Sequence, residues 1–306
     1  MAIPDGFPNM EIPLDNAFTI ERWVLGKKLF YDPVLSLDSS ISCATCHKLE
    51  FAFSDNVPKS FGVNHAPGTR NAPTLTNTGF QPYYTKEGGI STLEQQVLIP
   101  IQEHNEMNFN ILLAGERIAK NEKYKTMSNK AYSKEPDYYV ITRALACFER
   151  TIISGDSKYD GYLKNTLNFS QSEANGMNLF FSEETNCFKC HPAPMFTNYD
   201  FENNGLYQNY ADEGKYRLTL DSVDLALFKI PTLRNVANSG PYMHDGSIET
   251  LYEVVNHYNT GGYSHSNKSN LIKTLNLTET QITDLVNFLK TLTDNTFLNN
   301  KNLSNE

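Results

Sequence analysis

Cys43-Ala44-Thr45-Cys46-His47 and Cys187-Phe188-Lys189-Cys190-His191 are two copies of one pentapeptide, Cys-x-x-Cys-His, in a chain of 306 residues. The spacing is that of a covalent c-type haem site. Two thiols add across the two vinyl groups of one porphyrin, and the next residue turns its imidazole onto the iron. A zinc ribbon is the rival reading, but its Cys-x-x-Cys pairs ordinarily lie within ~20 residues of each other. Here 144 positions separate Cys43 from Cys187. Two covalently bound haem c groups are therefore expected, one at Cys43, Cys46 and His47 and one at Cys187, Cys190 and His191.

The two motifs use four of the five cysteines. The fifth, Cys147 in Ala144-Leu145-Ala146-Cys147-Phe148, lies in an apolar helical run and reads as a small core residue, so no disulfide framework remains. The length suits two domains of ordinary size, each with its own core and one haem. At 40% hydrophobic and 12% aromatic the composition is globular, and no apolar run reaches the ~20 residues of a membrane span. A formal charge of -9 argues against a nucleic-acid partner and favours a redox partner with a basic face. Bacterial haem attachment takes place outside the cytoplasm, which leads to the expectation of a periplasmic protein. The first twenty residues lack the charged-then-apolar pattern of a signal segment, so Met1-Ala2 reads as the start of a form whose signal was removed or replaced.

Along the chain the pattern is helical, with few strand signals, and the expected class is mainly α. Residues 1–18 are Pro-rich and read as extended. Thr19 is the predicted N-cap of a first amphipathic helix carrying Trp23, a core residue by its spacing. Further helical runs are predicted over 93–99, 108–120, 136–153, 173–181, 250–258 and 278–292, the last opened by Thr278 and Gln281 as in a capping box. The Gly-, Ser- and Asn-containing stretch 154–170 reads as a linker. It places an N-terminal domain at 1–165 and a C-terminal domain at 166–306, with an Asn-rich tail over 294–306 that frays or packs back.

The halves repeat each other. Leu29-Phe30 precedes the first haem motif and Leu179-Phe180 the second; Pro73-Thr74-Leu75-x-Asn77 matches Pro231-Thr232-Leu233-x-Asn235. Pro82-Tyr83 through Thr92-Leu93 and Val97 matches Pro241-Tyr242 through Thr250-Leu251 and Val255, mostly at an offset of 158 residues. This predicts two cytochrome c-like haem domains related by internal duplication. The copies differ where a distal ligand would stand: Tyr258 in the second half faces Pro100 at the same offset in the first. Proline has no donor atom for iron, whereas tyrosine ligates as a phenolate. One haem is then six-coordinate and the other open to a small molecule. Near the open one, Glu106 is the candidate acid-base group for cleaving a peroxide, and the Gln96 amide the candidate hydrogen-bonding partner. His257 is the competing ligand if the helix register is shifted by one.

With these segments placed, the chain resembles the bacterial dihaem cytochrome c peroxidase family, which includes the MauG-type enzymes. Arg70-Asn71-Ala72-Pro73-Thr74, Pro231-Thr232-Leu233-Arg234-Asn235 and Pro241-Tyr242-Met243-His244-Asp245-Gly246 carry the likeness beside the haem motifs. The resemblance implies a peroxidatic N-terminal haem and an electron-transfer C-terminal haem. It puts the catalytic pair on Gln96 and Glu106, and a Ca2+ ion on Asn71 and the backbone carbonyls of Ser239 and Pro241.

Three departures from the family pattern stand out. Ordinary peroxidases ligate the second haem with methionine, while Tyr258 looks MauG-like and favours oxidised states. Val63, with His65 nearby, stands where many members carry a gating histidine. Lys86, with Tyr83 and Tyr84, replaces a tryptophan between the haems. The expected activity is reduction of hydrogen peroxide to water with electrons from a small donor protein, a cytochrome c or cupredoxin, and a homodimer is a possible assembly. The alternatives are MauG-like oxidation of a residue on a protein substrate and, outside enzymes, an electron-carrying dihaem cytochrome c.

Overall fold

The N-terminal stretch, expected to be extended, carries a 3-10 turn at Leu14–Asn16, and Thr19 then starts helix α1 (Ile20–Tyr31) by accepting the Arg22 N–H on its side chain. The computed structural model describes residues 2–305. Two compact units divide the chain: Met1–Tyr83, Ile90–Ile153 and Asn299–Glu306 form the first, Tyr84–Gly89 and Ser154–Leu298 the second. In the first, α1 is followed by α2 (Cys43–Cys46), α3 (Leu93–Gln96), α4 (Leu98–Gln102), α5 (Ile111–Ala119), α6 (Glu122–Tyr132) and α7 (Tyr138–Glu149). The second holds α8 (Lys158–Leu163), α9 (Gln171–Phe180), α10 (Cys187–Cys190), α11 (Tyr216–Thr219), α12 (Leu251–Thr260), α13 (Glu279–Lys290) and α14 (Asn295–Leu298). The named strands are short: β1 (Phe201–Glu202) pairs antiparallel with β2 (Phe228–Lys229), Phe201 opposite Lys229. The class is mainly α, as expected.

Each unit is built on one tight helix crossing, and the two crossings match. In the first, α1 meets α7 at Gly26, where a Cβ would stand 1.9 Å from the Ala144 carbonyl oxygen and 2.9 Å from Phe148 Cβ. In the second, α9 meets α13 at Gly176, where a Cβ would stand 1.9 Å from the Asp284 carbonyl oxygen and 2.9 Å from Phe288 Cβ. The aromatic core around each crossing repeats too: Phe30 lies 5.1 Å from Phe148 and 5.8 Å from Phe53, Phe180 5.1 Å from Phe288 and 6.0 Å from Phe196. Such tilted and edge-on pairs add to apolar burial. Asn77 and Asn235 both adopt left-handed backbone, at φ 60° and 59°, and their N–H groups donate to Ile152 and Leu292. Asparagine tolerates that region better than most residues. The repeat in the sequence is thus a repeat of structure.

Some elements differ from the sequence reading. The run 93–99 is broken at Val97, because the Pro100 ring would clash with the carbonyl of residue 96 in a continuous helix; Pro100 instead lies early in α4. Helix α6 was not anticipated, since its exposed polar surface hides the buried Tyr124, Ser128 and Ala131. The stretch 154–170 carries α8, capped by Ser157 and Asp160, and Asp160 makes a two-pronged ion pair with fully buried Arg234 at 2.8 and 2.9 Å. Over 294–305 the chain packs against the protein: α14 buries Phe297, Leu303 is buried, and Asp294 accepts from Ser154 Oγ and the Gly155 and Asp156 N–H groups.

Candidate functional site

Both pentapeptides form a single helical turn that ends at the histidine. In α2, Ser42 and Thr45 cap each other's backbone, and the His47 N–H closes on the Cys43 carbonyl. The His47 Nδ1–H donates to the Phe53 carbonyl at 2.8 Å; in the second unit His191 Nδ1–H donates to the Phe196 carbonyl at 2.9 Å. A main-chain acceptor on Nδ1 fixes the ring and leaves Nε2 as the metal-facing nitrogen. Burial pushes both imidazoles down, His191 to about 4, so both are neutral and able to ligate. All four motif thiols are free, and burial pushes each one up. Paired thiols beside an oriented neutral imidazole are what covalent haem c requires.

The first unit also holds the candidate acid-base residues. Gln96 ends α3, and its Oε1 is buried without a hydrogen-bond partner. An orphaned buried acceptor costs stability unless something else meets it. Glu106 lies in the turn after α4, exposed to solvent at its edge yet ringed by protein. Burial and the Glu103 charge push its carboxyl up to about 7, and its charge reaches both Cys43 and Cys46. Val63 is buried and donates its N–H to the Glu106 carbonyl, while His65 is exposed beside Phe61. Glu149, at the end of α7, escaped the sequence reading. It is 7% exposed, burial drives its carboxyl up to about 8, and it lies within electrostatic reach of Cys43. An acid closing a long apolar run was the signal available for it.

In the second unit Tyr258 projects from α12, with the Cys190 and Cys187 thiols and the Tyr210 phenol in electrostatic reach. Burial pushes its phenol up to about 12, and a hydrogen bond with the Asn204 side chain opposes the shift. His257 is committed elsewhere, its Nε2 to the Asn204 carbonyl at 3.0 Å. Asn204 thus orients both neighbours, a role no local pattern announces. His265 is half-buried: it meets the Tyr210 ring edge-on at 5.4 Å and bonds Asn203.

The candidate calcium ligands belong to different units, Asn71 to the first, Ser239 and Pro241 to the second. Asn71 is 6% exposed, and its Nδ2 donates to the Val57 and Pro58 carbonyls, leaving Oδ1 as its acceptor. Neither the Ser239 nor the Pro241 carbonyl takes a main-chain hydrogen bond among the described residues. Neutral oxygens of this kind suit a hard cation. No group of three His, Cys, Asp or Glu placed to hold a metal occurs among the described residues.

Comparison with known proteins agrees with this geometry. Residues 20–168 match the di-haem cytochrome c peroxidase family and residues 173–293 the cytochrome c family. The chain is 32% identical over 292 residues to the methylamine utilization protein MauG of Methylorubrum extorquens, covering 94% of this chain and 82% of that protein. It is 34% identical over 277 residues to the cytochrome c551 peroxidase of Nitrosomonas europaea, covering 88% and 79%. It superposes on the crystal structure of a MauG-like protein associated with microbial copper homeostasis with a TM-score of 0.94 at 32% identity, covering 99% of this chain and 97% of that one.

The fold and the twin motifs define a dihaem c-type cytochrome of the peroxidase class, an oxidoreductase that acts on peroxide. The chain belongs to the dihaem cytochrome c peroxidase and MauG family, whose members carry two haem c groups. No helix among the described residues is long and apolar enough to cross a membrane.

Proposed function

We propose that peroxide is reduced in the first unit, and that electrons enter through the second from a small donor protein in the periplasm. The observation that carries this is the contrast between Tyr258, beside the second haem motif, and Pro100 at the equivalent place in the first, with the orphaned Gln96 Oε1 nearby. Cys43, Cys46 and His47 would hold the first haem, and Cys187, Cys190, His191 and Tyr258 the second. A haem held at His47 would supply the iron and the redox chemistry for reducing the peroxide bond. The protein's own part is to handle protons. The Glu106 carboxylate takes the proton from the near oxygen of hydrogen peroxide and returns it to the leaving oxygen, and Gln96 holds the bound peroxide by its amide. Two electrons and two protons per peroxide yield two waters. In the first unit Asn71, and in the second the carbonyls of Ser239 and Pro241, are the proposed Ca2+ ligands.

The test is electron paramagnetic resonance of the oxidised holoprotein. One high-spin and one low-spin ferric haem are expected; two low-spin signals would remove the open site.

A second reading, MauG-like oxidation of a residue on a partner protein, is favoured by Tyr258 itself. A phenolate stabilises oxidised iron and suits storage of oxidising equivalents. Adding peroxide to the fully ferric protein separates the two. Storage without prior reduction supports the MauG-like reading, and a need for one-electron reduction supports the donor-driven peroxidase.

A further inference from the structure

We propose that Tyr207, hydrogen-bonded to Asp245, is a redox-active tyrosine that hands electrons one at a time from the surface of the second unit towards Tyr258. The proposal rests on the peroxidase reading above and gives its electrons a point of entry. The Tyr207 hydroxyl donates to Asp245 Oδ2 at 2.7 Å. Its ring lies 5.6 Å from that of Tyr210. The Tyr210 hydroxyl donates to the Asn203 side chain at 3.1 Å, and the next side chain, that of Asn204, is hydrogen-bonded to Tyr258. His244 sits 6.2 Å from Tyr207 and 5.9 Å from Tyr210, with Phe228 stacked on it at 4.2 Å. These rings lead from the half-buried Tyr207 phenol to Tyr210, and Asn203 and Asn204 continue the path from Tyr210 to the proposed distal ligand.

What singles out Tyr207 is its base. A phenol that loses an electron becomes a strong acid, so oxidation is accessible only where the proton has somewhere to go. The Tyr210 hydroxyl donates at 3.1 Å to the Asn203 carboxamide oxygen, a poor proton acceptor. Tyr207 faces a carboxylate. Asp245 is fixed by the Ser247 N–H, which donates to its Oδ1 at 3.1 Å. Burial alone would raise this carboxyl, but the bonds from Tyr207 and Ser247 and the nearby His244 hold it below the usual carboxylate range. It is therefore ionised at neutral pH and open to a proton.

The electrons and protons balance. For each of the two electrons that one hydrogen peroxide consumes, Tyr207 gives up one electron towards the haem pair. Its proton moves to Asp245 Oδ2, leaving a neutral phenoxyl. A one-electron donor, whether a small redox protein or an oxidisable side chain, then refills the phenoxyl, and the proton returns from Asp245. The oxidant is peroxide and the reductant is the donor; Tyr207 is unchanged after each cycle.

The test treats the two-haem protein with hydrogen peroxide in the absence of donor and adds a nitroso spin trap. Freeze-quenched spectra detect tyrosyl radical, peptide mass spectrometry locates the trapped adduct, and peroxide consumption is followed in parallel. In the wild-type protein the adduct is expected on Tyr207. Tyr207→Phe should abolish it. Asp245→Asn, which keeps the oxygen that Ser247 needs, should cut the radical yield about tenfold and make it rise with pH. Tyr263→Phe, an exposed tyrosine outside the cluster, should leave the Tyr207 adduct in place. Peroxide consumed with no adduct on Tyr207, or an undiminished yield in Asp245→Asn, overturns the proposal alone. No peroxide consumption by the wild-type holoprotein overturns the peroxidase reading and this proposal with it. The adduct position is read on wild-type protein, so it stands even if a variant fails to fold.

Discussion

The backbone N–H of Val63 donates to the Glu106 carbonyl at 2.8 Å, and this bond ties the loop after the first haem motif to the candidate acid-base residue. Gly62 makes the approach feasible: a Cβ there would stand 2.3 Å from the Asn105 carbonyl oxygen and 2.4 Å from that of Glu106. Backbone cannot yield as a flexible side chain does, so Gly62→Ala must displace the Glu106 turn. Peroxide turnover in Gly62→Ala is expected to fall about tenfold or more, because small misplacements of a reacting group are costly. Glu106→Gln, which keeps shape but loses the base, should lose on the order of 10²-fold. Steady-state peroxide consumption measures both, and wild-type rates in Glu106→Gln would move the acid-base role elsewhere.

The same carboxyl sets an expected pH profile. Burial and Glu103 push Glu106 up to about 7. Only its ionised form can take a proton from peroxide, so kcat/KM for peroxide should rise with pH through about 7 and level off above it. Glu103→Gln removes a neighbouring negative charge and should shift the midpoint to lower pH. A profile flat from pH 5 to 9 would separate Glu106 from the proton transfer.

Legibility in the sequence followed the range of the interactions. The haem motifs are local, since covalent attachment demands a fixed spacing, and the duplication shows because both copies keep the residues around one crossing. Tyr258 and Pro100 could be set against each other for the same reason. Asn204 could not be found: it meets His257 and Tyr258 across more than fifty positions, and only the fold brings them together. Glu149 hid in an apolar helix, and α6 hid because little of it faces the core. The stretch 154–170 has the composition of a linker, yet the buried Asp160–Arg234 pair anchors it.

That pair makes a stability prediction. Asp160 is held below the usual carboxylate range: burial would raise it, but the Arg234 guanidinium and Ser157 more than offset this. Glu94, bonded to Arg150 at 2.6 and 2.9 Å, is likewise lowered. Folded values below unfolded ones mean that this stabilisation is complete above about pH 4–5 and is lost as pH falls through the folded values. Acid unfolding monitored by circular dichroism should therefore begin below about pH 4. Asp160→Asn removes the charge opposite a buried guanidinium and should cost about 3–5 kcal/mol at pH 7. A loss under about 1 kcal/mol in denaturant titration would show that the pair matters little.

The matched crossings allow the duplication to be probed as one physical feature. Gly26→Ala and Gly176→Ala each place a methyl 1.9 Å from a carbonyl oxygen of the partner helix, α7 in one unit and α13 in the other. Neither glycine is in left-handed backbone, so the cost is steric, the price of forcing two packed helices apart, typically about 1–3 kcal/mol. The two variants should lose similar stability, because a Phe Cβ 2.9 Å away closes the same side of each contact. The functional readouts should diverge. Gly26→Ala disturbs α7, which carries Glu149, and should alter the spectrum of the haem at His47. Gly176→Ala disturbs the α9–α13 core of the second unit and should alter the haem at the second motif, for which Tyr258 is the proposed distal ligand. Both variants changing the same haem would mean that each crossing does not support its own unit's site.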